Sequence, residues 1–331
     1  MHHTVDPART LMDLATAYWA SRCLHVVAEL GVADALGDEP QSATELARQS
    51  GVQPQLLQRL LRSLSNHGIF QDDGERFAHN AASRLLRTDA APSLRSLARM
   101  MGLPVHWDAY RELESALRTG EPSIAKVTEG GLFAHLRKHP EEARIFHEAM
   151  VGKSLLQVAP IVEAYDFRGF KSIGDIGGGL GHLLYAVLER APASHGILFD
   201  LPGVIAQARE HTHPRVSYVG GDFFKDPIPA CDLYLMMTVL HDWSDRESVD
   251  ILNNLKARAP RGAKLLILEG VVQSKARNDL LIDIDIEMLV MTSGHERSER
   301  EWRSVVSSAG MQLSRIIATG SFTSILEVQV V

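Results

Sequence analysis

The residues of this 331-residue chain best suited to chemistry recur in one kind of place, just after short apolar runs with β character. Asp175 closes one such run and leads into Gly177, Gly179 and Gly181. Further along come Asp200, then Gly221-Asp222-Phe223-Phe224, then His241-Asp242, then Glu269, each at the end of its own run. In open α/β sheets ligands bind outside the carboxyl ends of the strands. A single acid at such an end is ordinarily a helix cap or a surface group; five polar ends in one register describe a binding crevice. The glycine spacing narrows the ligand. A G-x-G-x-G run between strand and helix lets backbone approach a nucleotide-like molecule, because a side chain would block the approach and positive φ costs glycine little. A dinucleotide fingerprint would want glycine or alanine at position 182, where His182 stands, and Asp175 lies two residues before the first glycine. Both features favour a ligand without a pyrophosphate; a degenerate dinucleotide loop and a ligand-free turn remain alternatives. Asp200 follows the loop by about 20 residues, the distance at which an acid takes ribose hydroxyls. Asp222 is placed to accept from an adenine amino group while Phe223 covers the ring.

The elements that must carry these groups alternate from Ser172 onward. Runs at Ser172–Ile176, Gly196–Asp200, Val216–Val219, Leu233–Met236 and Lys264–Glu269 read as strands, with helices between them such as Val204–His211 and Ile251–Ala259. That order predicts a parallel sheet with helices on both faces. Two last β runs, Met311–Thr319 and Ser324–Val330, flank Gly320-Ser321 and predict an antiparallel hairpin closing the sheet. Before them the chain is mainly helical. Leu11, Leu14, Tyr18, Trp19, Cys23 and Val26 fall at near-helical intervals, and so rich an apolar face near a chain end wants its own domain or a second subunit to cover it. Ser42-Ala43-Thr44-Glu45 is a capping box; a helix from Pro54 to His67 and a hairpin over Ile69–Ala78 complete the order of a winged helix. DNA readers need a basic stripe, whereas here the hairpin tip carries Asp72, Asp73 and Glu75. A structural or dimerising role is expected instead. From Leu94 to Tyr165 the pattern is helical again, and its aromatics and methionines serve either a core or an apolar pocket. The expected divisions are 1–95, helical and dimerising; 96–166, a helical linker and pocket region; and 167–331, the catalytic domain.

Composition sets the outer bounds. A formal charge of −7 argues against general affinity for nucleic acid or anionic membrane. The two cysteines, Cys23 and Cys231, lie far apart in apolar settings, which suits free thiols in a reducing compartment and offers no metal spacing. Met-His-His-Thr-Val-Asp lacks the pattern of an export signal, and even the apolar Leu280–Met291 stretch contains Asp283, Asp285 and Glu287. The expectation is a soluble cytoplasmic protein.

Taken in order, Asp175–Gly181, Phe199-Asp200-Leu201-Pro202, Gly221-Asp222-Phe223-Phe224, Leu240-His241-Asp242-Trp243-Ser244-Asp245 and Glu296-Arg297-Ser298-Glu299 resemble the S-adenosylmethionine-dependent O-methyltransferases of the caffeic-acid type. Bacterial members modify phenazines, anthracyclines and other aromatic natural products. The resemblance spans nearly the whole chain. It implies a Rossmann-like seven-stranded methyltransferase sheet behind an N-terminal winged-helix dimerisation domain, working as a homodimer. It implies S-adenosylmethionine as cofactor, S-adenosylhomocysteine as its product, no metal, and a small aromatic acceptor. By the same resemblance Asp175 and Gly177–Gly181 cradle the methionine part, Asp200 with Leu201 the ribose, and Gly221, Asp222 and Phe223 the adenine. His241 looks like the general base, with Glu269 and Glu296 the acids beside it. Trp107, Phe146, Met150, Asp242 and Met288 fall to the acceptor pocket.

Physical chemistry agrees with that assignment. Methyl transfer is an in-line displacement at a carbon already activated by a sulfonium, so the protein supplies proximity and a nucleophile. A phenol of pKa about 10 is a poor nucleophile at neutral pH, and removing its proton during attack is worth about 10²–10⁴-fold. A histidine beside a carboxylate can do this, and His241 and Glu269 occupy neighbouring strand ends. Glu296 has a second reading, since Glu296–Glu301 is a charged run that could simply open a helix. One departure stands out: relatives often carry Lys or Arg four residues before the histidine, where this chain has Met237. Any contact from Met237 to the cofactor must come through its backbone. Thr238, where plant members often have Trp, leaves room for a bulkier acceptor. Two rivals remain: a cofactor-binding relative with N-methylating or non-methylating chemistry, and a non-enzymatic winged-helix regulator.

Overall fold

A computed structural model describes residues 6–273 and 280–330. They divide into two compact units. One comprises residues up to Trp107 with His139–Lys153; the other comprises Asp108–Lys138 and Ser154 onward. The long helix Pro140–Ala164 contributes to both and runs through Pro160, past the point where its sequence suggests a stop.

The N-terminal unit opens with the helix Pro7–Glu29, capped by the Asp6 carboxylate, which accepts from the Ala8 N–H at 3.1 Å. Ser42 and Glu45 make both bonds of the capping box and start the helix Ala43–Ser50. The helix Pro54–Asn66 follows, and β1 (Gln41–Ser42), which precedes both helices, joins β2 (Gln71–Asp72) and β3 (Arg76–Ala78), which come after them, in an antiparallel sheet of order β1-β3-β2. Its core gathers Val27, Leu36, Leu46, Leu61, Phe70 and Phe77. The first helix leaves another face uncovered in the single chain: Leu11, Leu14, Tyr18 and Trp19 are all more than half exposed.

The second unit is built on seven strands, β4 (Ser172–Ile176), β5 (His195–Asp200), β6 (Val216–Gly220), β7 (Leu233–Met237), β8 (Lys264–Glu269), β9 (Gln312–Ala318) and β10 (Ser324–Gln329). They lie in the order β6-β5-β4-β7-β8-β10-β9. The first five in that order are parallel, and β10 and β9 add an antiparallel edge. The central strands are apolar on both sides because helices cover both faces. Leu240, Ile251, Leu265, Ile267 and Trp302 fill one layer; Leu184, Leu188, Leu198, Leu235 and Leu266 fill the other. This is the mixed α/β sheet that the strand-and-helix alternation predicts, with its carboxyl-end acids on one rim.

Candidate active site

Beyond β7 the chain turns sharply. Thr238 adopts φ +49°, the one left-handed non-glycine residue among those described, and turns the backbone into a short 3₁₀ turn, Leu240–Asp242. His241 sits buried on this turn. Glu296 Oε1 lies 2.7 Å from His241 Nδ1, a hydrogen bond that makes Nδ1 the donor, so that the lone pair falls on Nε2 when the ring is neutral. Glu269, at the end of β8, holds the same turn differently. Its Oε1 accepts from the backbone N–H groups of Val239 and Leu240 at 2.9 Å and of His241 at 3.4 Å. Its Oε2 stands 3.8 Å from His241 Nδ1. Asp242 Oδ1 is 3.7 Å from Nε2. Three carboxylates therefore surround one imidazole.

Their field decides its charge. Burial opposes an imidazolium, but Glu269, Asp242 and the bonded Glu296 outweigh it and push His241 up to about 9. Burial lifts Glu269 to about 7, with the Glu296 charge adding to the rise and His241 and the backbone donors opposing it. Sequence reasoning paired His241 with Glu269; the short bond instead goes to Glu296, because one Glu269 oxygen is committed to three backbone donors. The charged-run reading of Glu296 also resolves. Ser298 and Glu301 form the capping box of the helix Glu299–Ser308, which leaves Glu296 outside that helix and turned toward the ring.

On the neighbouring strand ends, Gly177, Gly179 and Gly181 all take positive φ. Gly179 has no atom within 4 Å of where a Cβ would be, whereas a Cβ on Gly177 would fall 2.9 Å from Val239 and one on Gly178 2.5 Å from Asp175 Cγ. Asp200 ties this loop to its own strand end, with Oδ2 accepting from the Gly179 N–H at 2.8 Å and Oδ1 from the Leu201 N–H at 2.7 Å. The Gly221 N–H donates to the Asp200 carbonyl. Asp222 accepts from the Phe224 N–H and from Lys225 Nζ. Asp175 is buried, and its Oδ2 has no hydrogen-bond partner among the described residues. Burial and the nearby Asp200 charge raise it to about 7, against the Leu184 N–H. A buried carboxyl oxygen without a partner is one that a cationic ligand would satisfy. The open Gly179 edge, the acids at both neighbouring strand ends and the Phe223 ring beside Gly177 fit S-adenosylmethionine, which carries both a cationic amino acid part and an adenosine.

The remaining candidates are spread between the two units. Met237 ends β7, half-buried, with its backbone paired to Leu268. Met288 is buried in the helix Leu280–Met291. Trp107, Phe146 and Met150 belong to the N-terminal unit, where Trp107 lies edge-on to His25 and Phe146 and Met150 pack against Met100, Ile145 and Ala149. Two features escaped the sequence reading. Trp243 is the hub of an aromatic group, with Phe133 stacked at 5.7 Å, Phe224 at 4.7 Å and Phe223 at 5.9 Å; of these partners Phe223 and Phe224 carry a strand-end signal and Phe133 carries none. Arg297 is wholly buried, and nothing in a charged run marks one arginine as interior.

Comparison with known proteins places the chain. A family model described as the O-methyltransferase domain matches residues 110–312, and one described as the O-methyltransferase dimerisation domain matches residues 12–89. The chain is 35% identical to a phenazine O-methyltransferase of Lysobacter antibioticus, over 96% of this chain and 94% of the relative. It is 36% identical to a mitomycin biosynthesis 6-O-methyltransferase of Streptomyces lavendulae, over 94% and 91%. It is 31% identical to an 8-amino-8-demethylriboflavin N,N-dimethyltransferase of Streptomyces davaonensis, over 96% and 92%. The crystal structure of human N-acetylserotonin methyltransferase in complex with S-adenosylmethionine superposes with a TM-score of 0.90 at 26% identity, covering 99% of each chain. The chain thus belongs to the caffeic-acid-type family of S-adenosylmethionine-dependent O-methyltransferases, with S-adenosylmethionine as its cofactor.

Proposed function

We propose that this enzyme methylates a hydroxyl group of a small aromatic natural product, phenolic, polyketide or phenazine-like, with His241 Nε2 as the general base. The bond from His241 Nδ1 to Glu296 in a buried site carries the reading, because it fixes the tautomer that leaves Nε2 able to take a proton. S-adenosylmethionine, when bound, supplies a methyl group on a sulfonium, ready for displacement. What remains for the chain is to hold the acceptor hydroxyl and remove its proton. Glu296 and Glu269 stabilise the imidazolium that forms. Asp175, the glycine loop, Asp200 with Leu201, and Gly221, Asp222 and Phe223 are the proposed cofactor contacts; Met237 contributes backbone only. Asp242, Met288, Trp107, Phe146 and Met150 are the proposed acceptor contacts.

The acceptor class rests on the relatives, whose names give a phenazine, a mitomycin, 3-amino-4-hydroxybenzoate, a riboflavin derivative and N-acetylserotonin, in which both fused and single rings occur. The dimerisation-domain match and the exposed face of the first helix support a homodimer. None of the described helices is long and apolar enough to cross a membrane, which fits the expected cytoplasmic setting. Methylation of an amine is the second reading, favoured by the N,N-dimethyltransferase relative. A panel of hydroxylated and aminated aromatics, single-ring and polycyclic, scored by product mass and by the site of the new methyl, decides between them. His241→Ala is expected to keep S-adenosylhomocysteine affinity in calorimetry while turnover falls by about 10²–10⁴-fold. Turnover at the wild-type rate in that variant excludes His241 as base.

A further inference from the structure

Arg297 is an unusual arginine. Its side chain is wholly buried, a setting that costs a guanidinium heavily unless every donor direction is met. Here they are met. Nε donates to Asp245 Oδ1 at 2.8 Å, Nη1 to the Leu240 carbonyl at 2.9 Å, and Nη2 to the Trp243 carbonyl at 2.8 Å and to Ser248 Oγ at 3.4 Å. Its plane lies over Trp302, 5.0 Å from the ring centre, and the Trp302 indole donates to the Gly270 carbonyl, next to Glu269.

Two of those acceptors matter most. Leu240 and Trp243 bracket His241-Asp242, so the guanidinium spans the carbonyl side of the turn that carries the imidazole. Glu269 already spans its N–H side. The turn is held on its donors by a carboxylate and on its acceptors by a guanidinium fork. The loop bearing Arg297 lies flush on the turn, since a Cβ on Gly294 would fall 1.9 Å from the His241 carbonyl oxygen. Successive side chains of this loop then reach opposite targets: Glu296 the imidazole ring, Arg297 the backbone beneath it.

We propose that Arg297 is a positioning residue, which fixes the Leu240–Trp243 backbone so that the His241 ring stays on Glu296 with Nε2 presented to the acceptor hydroxyl. The proposal rests on His241 being the base. Lysine cannot replace the fork, because an ammonium is a point donor and cannot span two carbonyls while meeting Asp245. A purely structural buried ion pair would predict lost stability with normal catalysis in the molecules that remain folded.

The test uses the full-length enzyme and three variants. Arg297→Lys removes the fork. Asp245→Asn removes the ionic partner from a side chain that is more than half exposed, so it folds even if the lysine variant does not. Ser248→Ala removes the weaker fourth bond. Arg297→Lys should lower kcat roughly 10–100-fold, the scale of an ångström-level misplacement, with KM for S-adenosylmethionine and Kd for S-adenosylhomocysteine within about twofold of wild type. Asp245→Asn should show the same pattern at several-fold, and Ser248→Ala a smaller one. Nitrogen-15 histidine spectra of the S-adenosylhomocysteine complex, assigned with His241→Ala, should show the His241 ring titrating lower in Arg297→Lys and Asp245→Asn as it leaves Glu296. Unchanged kcat and an unmoved His241 titration in the folded variants overturn the proposal. So does a fall in cofactor affinity that matches the fall in kcat. Because the titration is read without turnover, it separates failure here from failure of the base assignment, which His241→Ala reports by its own rate.

Discussion

At the scale of single residues, the surplus of negative charge around His241 sets the pH behaviour. As the proposed base His241 works only as neutral imidazole, and Glu269, Asp242 and Glu296 hold it protonated up to about 9. The kcat/KM for the acceptor should therefore climb about tenfold per pH unit through neutrality and level off near 9. Glu296→Gln removes one charge and the bonded acceptor, so the climb should move to lower pH while the plateau drops. A profile unmoved by that change would remove Glu296 from the site. The same shifts govern stability. His241 is raised above its ordinary 6.5, so its contribution is complete below that pH and is lost as pH rises through about 9. Glu269 and Asp175 are raised to about 7, so theirs are complete below about 4 and fade as pH approaches 7. The cofactor-free enzyme should melt at progressively lower temperature between pH 5 and pH 9 in a buffered thermal scan. His241 and Glu269 were readable because each ends a strand run. Glu296 was readable only through the family resemblance and the burial of Arg297 not at all, because adjacent charges in a loop carry no periodicity to tell which turns inward.

At the scale of elements, the strand ends were the most legible part of the chain. Apolar runs from Ser172 to Glu269, separated by helical patterns, gave the parallel sheet, and the Gly320-Ser321 break gave its antiparallel edge. The helix Leu280–Met291 is the counterexample. Ile282-Asp283-Ile284-Asp285-Ile286 alternates with the period of a strand, yet the segment is helical. Tertiary partners override local pattern there: Asp285 accepts from the Glu296 N–H at 2.8 Å and Glu287 from the Tyr110 hydroxyl at 2.6 Å. Asp285 thereby fixes the loop that delivers Glu296. The glycine loop makes its own prediction. A methyl group on Gly178 would press within 2.6 Å of both the Asp175 carboxyl and Leu198, neither of which has room to retreat. Gly178→Ala should fold but weaken S-adenosylhomocysteine binding by at least about tenfold in calorimetry, the equivalent of about 1.4 kcal/mol.

At the scale of the whole molecule, a single chain leaves its first helix unfinished. Leu14 and Trp19 are 72% and 60% exposed, and Tyr18, Trp19, Arg22, Cys23, Val26 and Leu60 line an apolar groove on the same unit. The sequence revealed that this face is apolar, but a pattern of intervals along one chain cannot say which surface meets it. Leu14→Asp with Trp19→Asp should convert a dimer to a monomer in light scattering and reduce turnover, with S-adenosylhomocysteine affinity nearly unchanged. Equal mass for the variant and the wild type would refute dimerisation through this helix. The dipeptide at 296–297 has a consequence for how such a chain can diverge. One side chain is negative and faces the ring, while the next is positive and faces away. Lengthening or shortening the segment between Thr292 and Ser298 by one residue would exchange them and set a cation against the imidazole, inverting the field that makes it basic. This short span therefore tolerates substitution only in register.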